Sequence, residues 1–217
     1  MKVKLVGYTQ PSEEFKNDFS TVKDLVAFCA RVSNPSNQFN TTTSDKLIGY
    51  LIKHKHWSPL EMASATVEIE TTRDIARQLL RHRSFSFQEF SQRYADPTKD
   101  LDFEYRDARL QDLKNRQNSI VTDDIVLDKE WKEKQKEILD LVKSNYQWAI
   151  DNGIAKEQAR AILPEGMTKS RLYVSGTIRS YIHYIEVRTD ESTQLEHREL
   201  AVAVAAAINK IFSIGTN

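Results

Sequence analysis

A single cysteine, Cys29, in a chain of 217 residues has no internal partner, so an internal disulfide and a cysteine zinc cluster are both excluded. The scarcity is compatible with a reducing compartment. A surplus of one charge is missing too. Lys+Arg and Asp+Glu each total 31, so composition steers the chain toward neither nucleic acid nor a membrane surface. No stretch approaches the ~18 consecutive apolar residues of a membrane span, and the opening Met1-Lys2-Val3-Lys4-Leu5-Val6 lacks the apolar core of a signal peptide. Repeats and low-complexity linkers are absent as well. What remains is a globular chain read as one domain over 1–217, long enough to bury a core.

Period-two alternation marks strands at Val3 to Tyr8 and Ala63 to Thr71, where Ala65, Val67 and Ile69 alternate with Thr66, Glu68 and Glu70. Lys169 to Thr177 is strand-like, and short strands are expected around Phe103-Glu104-Tyr105 in an otherwise polar, irregular stretch from 96 to 128. Helical spacing appears after a Ser20 or Thr21 cap, with Val22, Leu25, Val26 and Cys29 on one face, and again from Ser44 to about Lys53. Further helices are expected over Thr72 to Arg83, Lys129 to Asn152 (stopped by Gly153), Ala155 to Leu163, Ile178 to Val187 and Gln194 to Phe212. The last contains nine consecutive apolar residues, Leu200 to Ile208, which predicts burial on all sides or against a partner chain. Together these imply an α+β fold: a mixed, largely antiparallel sheet packed with long helices, including a buried C-terminal one.

The chemistry concentrates after Arg77. Arg77 and Arg81 lie four apart on the expected helix and share a face, with Arg81-His82-Arg83 at its end. A basic helix C-terminus is ordinary by itself, because cations there complement the helix dipole. The continuation from Ser84 to Tyr94 is not ordinary: it mixes hydroxyls, amides, an acid and aromatics with no helical or strand period. Arginines at one end with Ser91 and Arg93 at the other can clamp a phosphate. Gln88, Glu89 and the neighbouring phenylalanines can hold a flat heterocycle. The pattern suggests a nucleotide site without specifying the nucleotide.

Arg81-His82-Arg83, seven residues and then Ser91, followed by Gln92-Arg93-Tyr94, resembles the signature of flavin-dependent thymidylate synthases. Four other segments resemble that family in the same order: Phe28 to Ser33; His56-Trp57-Ser58-Pro59-Leu60-Glu61; Ala159 to Pro164; and Ile178-Arg179-Ser180 with His183, Val187-Arg188-Thr189-Asp190, Gln194 and Glu196. The chain departs from the pattern at Gln88 and Thr177, where Asn is frequent, at His183, and at Ser192-Thr193.

The resemblance implies reductive methylation of dUMP to dTMP in a homotetramer whose sites are shared between subunits. FAD would be reduced by NADPH, and 5,10-methylenetetrahydrofolate would donate the carbon. Flavin contacts would fall to His56, Ser58, Arg81, His82, Arg83, Glu89, Thr177, Ile178, Arg179 and His183. Those to dUMP would fall to Gln78, Arg81, Glu89, Phe90, Ser91, Gln92, Arg93, Arg160 and Arg188. Of these, Arg188 and Ser91 would serve the reaction directly, Arg188 by favouring uracil N3 ionisation with its permanent charge and Ser91 by orienting dUMP. No metal is expected, since His54 and His56 lack a third ligand at suitable spacing, and Trp57 is expected to pack. The expected location is the cytoplasm, or the host cytoplasm if the chain is viral. A nucleic-acid module built on the same arginines and on Phe85, Phe87 and Phe90 is the rival reading. Zero net charge opposes it. A catalytically silent flavin or nucleotide sensor is the third.

Ser91 has no adjacent base in sequence, and Cys29 lies on an apolar helix face, so neither reads as a nucleophile. Cys29→Ala is therefore expected to keep synthase activity; loss of dTMP formation with flavin still bound would overturn the nucleophile-free mechanism.

Overall fold

The computed structural model describes residues 1–213. Its centre is a four-stranded sheet in the order β1-β2-β6-β3, every pairing antiparallel. The strands are β1 (Lys2–Tyr8), β2 (Ser64–Thr72), β3 (Ser86–Glu89) and β6 (Lys169–Thr177); β4 (Arg109–Gln111) and β5 (Ser119–Val121) form a separate hairpin. Around them lie α1 (Val22–Ala30), α2 (Ser44–Lys53), α3 (Arg73–Leu79), α4 (Pro97–Asp100), α5 (Ile125–Asp151), α6 (Lys156–Ala159), α7 (Ile178–Arg188) and α8 (Leu195–Ile208). No helix among the described residues is long and apolar enough to cross a membrane.

The two-residue period of β2 is explained by a sheet with one dry and one wet face. Ala65, Val67 and Ile69 of β2 and Leu172 and Val174 of β6 are buried beneath α1, α2, α3, α7 and α8. Full burial of each larger side chain contributes about 1.5–3 kcal/mol. The opposite face carries a ladder of charges: Lys4 lies 3.4 Å from Glu68, Arg171 donates to Glu70 at 3.1 Å, and the Tyr173 hydroxyl donates to Glu68 at 3.0 Å. These pairs keep the outer face polar more than they add stability.

Most element boundaries follow the sequence reading. Thr21 caps α1 in a reciprocal capping box with Asp24. Gly153, at φ 76°, follows α5 in the left-handed region that glycine tolerates. Four expectations need correcting. Helix α3 stops at Leu79, not Arg83, and residues 86–89 are a strand. Around Phe103 there is only an isolated bridge to Thr168, the strands of this region lying further on. Helix α5 begins at Ile125, capped by the Asp124 side chain. The expected helix over 155–163 is a single turn, α6, followed by a 3-10 turn at Arg160–Ile162.

Leu139 and Tyr146 of α5 face inward as expected, but Trp131, Leu141 and Trp148 are exposed beside the charges. Helix α8 buries Leu200, Ala201, Val204, Ala207 and Ile208, while Val202, 55 % exposed, and Ala206 stay open on its outer side.

At Gly176 the backbone of β6 passes so close to the Phe85 ring that a Cβ would overlap it. That ring is buried and packs 4.8 Å from the Tyr181 ring, so it has little freedom to retreat. Gly176→Ala is expected to lower stability by about 1–3 kcal/mol in denaturant titration. An unchanged midpoint would show that Phe85 can move aside.

Candidate functional site

The Arg81-His82-Arg83 segment leaves the helix as a turn. The His82 N–H donates to Leu79 O at 3.0 Å and the Phe85 N–H to His82 O at 3.2 Å. Burial of Phe85 and pairing of β3 with β6 pull the chain away from the helical path. Arg77 and Arg81 therefore do not share a helix face; Arg77 pairs with Glu165, and Arg81 lies in the turn. Arg81 and Arg83 are exposed, and among the described residues neither makes a hydrogen bond or ion pair.

Three groupings of the expected residues emerge. In the first, Arg188 at the end of α7 donates from Nε to His82 Nε2 at 2.9 Å, joining segments 106 residues apart. The His82 ring packs edge-on against Tyr184 at 5.0 Å and stands 6.4 Å from the ring of His197, on α8. His197 is fully buried and meets Gln78 Oε1 at 3.1 Å through Nδ1, while its Nε2 has no partner among the described residues. Burial, then the Arg188 and Arg81 charges, pushes the His82 pKa down. Burial, then Arg188 and His82, takes His197 to about 3. Both imidazoles are neutral near pH 7.

The second grouping is a cavity of about 440 Å³ between Arg73, Arg77, Gln92 and Arg160, with Glu157 and Glu165 also on its wall. Gln92 is buried, and among the described residues its Nε2 has no hydrogen-bond partner. Burial, opposed by Glu89 but reinforced by Arg77 and Arg160, lowers the Arg73 pKa. Glu89 accepts from the Ser170 hydroxyl at 2.7 Å and lies 3.5 Å from Arg73. Phe90 is half-buried, its N–H donating to Arg171 O. Arg93 is held 3.3 Å from Glu157. Among the described residues the Ser91 hydroxyl accepts only a long 3.4 Å bond from the Arg93 N–H and meets no general base.

In the third, Arg179 of α7 pairs with Glu61, so the histidine loop carrying His56 and Ser58 abuts the start of α7. The Thr177 hydroxyl accepts from Ser180 N–H and caps that helix, so Thr fills the structural part that Asn also performs. Ile178 is buried. His183 packs edge-on against half-buried Trp57 at 4.4 Å, the packing role expected of that tryptophan. His54 and His56 are exposed, and among the described residues no three His, Cys, Asp or Glu side chains converge as a metal site. Cys29 is half-buried, and burial pushes its thiol pKa up, away from a thiolate.

Sequence reasoning did not single out Arg73, Tyr184 or His197. His197 sits in the charged first turn of α8, among Glu196, Arg198 and Glu199, where its residue type alone did not mark it. The donor set suits a flavin dinucleotide: two unpaired exposed arginines for a pyrophosphate, a capped helix start, and aromatic and imidazole edges nearby.

The family model described as thymidylate synthase complementing protein matches residues 17–213. The chain is 47% identical over 215 residues to a probable flavin-dependent thymidylate synthase of Paramecium bursaria Chlorella virus 1, covering 98% of this chain and 95% of that one. It is 45% identical over 212 residues to the flavin-dependent thymidylate synthase of Synechocystis sp., covering 98% and 96%. Among solved structures, a UMP/dUMP methylase, PolB, from Streptomyces cacaoi bound with 5-Br dUMP superposes with a TM-score of 0.77 at 26% identity, covering 97% of this chain and 90% of that one. The α+β architecture and these full-length matches agree, and the chain belongs to the flavin-dependent thymidylate synthase family.

The two neutral imidazoles carry a stability consequence. Their folded pKa values lie below the ordinary 6.5, so the unfolded chain binds protons first as pH falls. Their contribution is complete above about 6.5 and is lost as pH drops toward the folded values, about 3 for His197. The melting temperature is expected to fall between pH 6.5 and 5, above the range where carboxylates titrate, and His197→Asn should flatten that slope. A melting temperature indifferent to pH across this window would contradict the neutral pair.

Proposed function

We propose that the chain converts dUMP to dTMP with FAD as hydride carrier, NADPH as reductant and 5,10-methylenetetrahydrofolate as carbon donor, without an enzyme nucleophile. The observation that carries the reading is Arg188, bonded through Nε to neutral His82, with no protein partner for its terminal nitrogens among the described residues. A guanidinium so held can stabilise negative charge on a uracil ring, favouring ionisation at N3. The bound cofactors supply the redox and one-carbon chemistry.

The protein residues bind and orient. Arg81, His82, Arg83, Glu89, His56, Ser58, Thr177, Ile178, Arg179 and His183 contact the flavin. Gln78, Arg81, Glu89, Phe90, Ser91, Gln92, Arg93, Arg160 and Arg188 contact dUMP. The cavity's three arginines, outnumbering its two carboxylates, and the Gln92 Nε2 left without a partner among the described residues suit the nucleotide phosphate. Ser91 orients the substrate by hydrogen bonding. The active form is a homotetramer in which one domain, 1–217, contributes to sites shared between subunits, in the cytoplasm or, for a viral chain, the host cytoplasm. The open apolar positions on α5 and α8 support an assembly.

A visible absorption spectrum of the purified protein tests this. Flavin absorbance that bleaches anaerobically with NADPH and dUMP, followed by dTMP formation on adding methylenetetrahydrofolate, is expected. A colourless protein that takes up no FAD contradicts the reading and favours the nucleic-acid alternative, whose sign is a salt-sensitive RNA or DNA shift.

A further inference from the structure

A chain of hydrogen bonds runs from the polar segment before β4 into the cluster around Arg188. Glu196 Oε1 lies 2.5 Å from Arg109 Nη2, which donates to it, and 2.9 Å from Arg106 Nη1 as an ion pair without hydrogen-bond geometry. Arg106 also donates to Thr72 Oγ1 and to Asp74. Glu196 Oε2 accepts from Gln194 Nε2 at 2.9 Å. Gln194 Oε1 accepts from Gln78 Nε2 at 2.8 Å, and Gln78 Oε1 meets His197 Nδ1 at 3.1 Å.

The carboxylate sets the direction of every bond. Burial raises the pKa of Glu196, but Arg109, its own backbone amide, Arg106 and Gln194 outweigh that and bring it to about 2. An ionised carboxylate only accepts. Gln194 must therefore turn its NH2 to Glu196 and its oxygen to Gln78. Gln78 must in turn offer its NH2 to Gln194 and its oxygen to His197. This requires a proton on His197 Nδ1 and a bare lone pair on Nε2, the atom left without a partner. Neither amide can flip without setting donor against donor or acceptor against acceptor.

We propose that His197 is a positioning residue for the substrate site: its Nδ1–H holds Gln78 by the amide oxygen, so that the second N–H of Gln78 is presented to an acceptor oxygen of the bound nucleotide. The inference rests on the reading of Gln78 as a dUMP contact. His197 touches no substrate; Gln194 already sets which way the Gln78 amide points, and the bond from His197 holds its other end so that the amide cannot swing out of line. The free N–H then meets the nucleotide already aligned, and little orientational entropy is lost on binding.

The test titrates FAD-loaded protein with dUMP and follows the flavin absorbance, alongside steady-state KM and kcat. His197→Leu removes the donor and is expected to weaken dUMP about tenfold, the scale of one hydrogen bond. That loss should appear in KM, with flavin content unchanged and kcat at saturating dUMP within about threefold of the parent, as expected for uniform binding. His197→Asn, whose amide N–H can replace Nδ1–H, is expected to restore binding. His197→Gln, whose N–H falls nearer the Nε2 position, is not. A folded Leu variant that binds dUMP like the parent overturns the proposal. Equal binding by the Asn and Gln variants also overturns it, and this comparison stands even if the Leu variant fails to fold. If the parent holoprotein gives no flavin response to dUMP, it is the underlying dUMP reading that has failed, and this shows before any variant is made.

Discussion

The antiparallel register between β2 and β6 governs the arrangement of the candidate site. Nine residue pairs, from Ser64 opposite Thr177 to Thr72 opposite Lys169, join two strands that each run straight into a helix. Because the strands are antiparallel, α3 leaves one end of the pair and α7 the other, and their C-terminal ends meet where Arg188 bonds His82. A slip of one residue would turn Val67 and Leu172 to the wet face and carry Arg188 away from His82. The buried alternation that fixes the register thereby also fixes the contact.

The second constraint is electrostatic. His82 accepts a hydrogen bond from a permanent cation, so its Nε2 must be unprotonated, and burial keeps it so. Arg188 is held without being neutralised, since a neutral imidazole takes one N–H and leaves the charge. A carboxylate in the same place would hold the guanidinium more strongly but would cancel its charge. The spacing of Arg81-His82-Arg83 in a turn, off the helix, is what allows the histidine to face α7 while its neighbours remain exposed.

The fold was largely legible because its signals are local and repeat. The alternation in 63–71, the cap before Val22 and the glycine after Asn152 each report an element whose pattern belongs to its own segment. Of the four corrections, the end of α3 bears most on the site. Nothing between Leu79 and Arg83 breaks a helix; the break comes from Phe85, whose ring is drawn into the core against Tyr181 and Gly176, contacts distant in sequence. The motif residues were found by resemblance, and their grouping depends on the same long-range contacts. His197 carried no spacing signal, because a histidine among the charges of Glu196, Arg198 and Glu199 reads as exposed and becomes legible as a buried group only with its partners in view.

The β4–β5 hairpin is held very differently at its two ends. At its base Arg109 is tied to Glu196, whereas Leu113 at the tip is 94% exposed and the bonds of Asp112, Asn115 and Asn118 stay within the loop. Local opening costs least where few buried contacts are lost. Amide hydrogens around residues 113–118 should therefore exchange with solvent deuterium long before those of β2 and β6, while the root at Arg109 stays shut. One short segment thus contains two clocks, and the slower one is wired through Glu196 to Gln78 and His197.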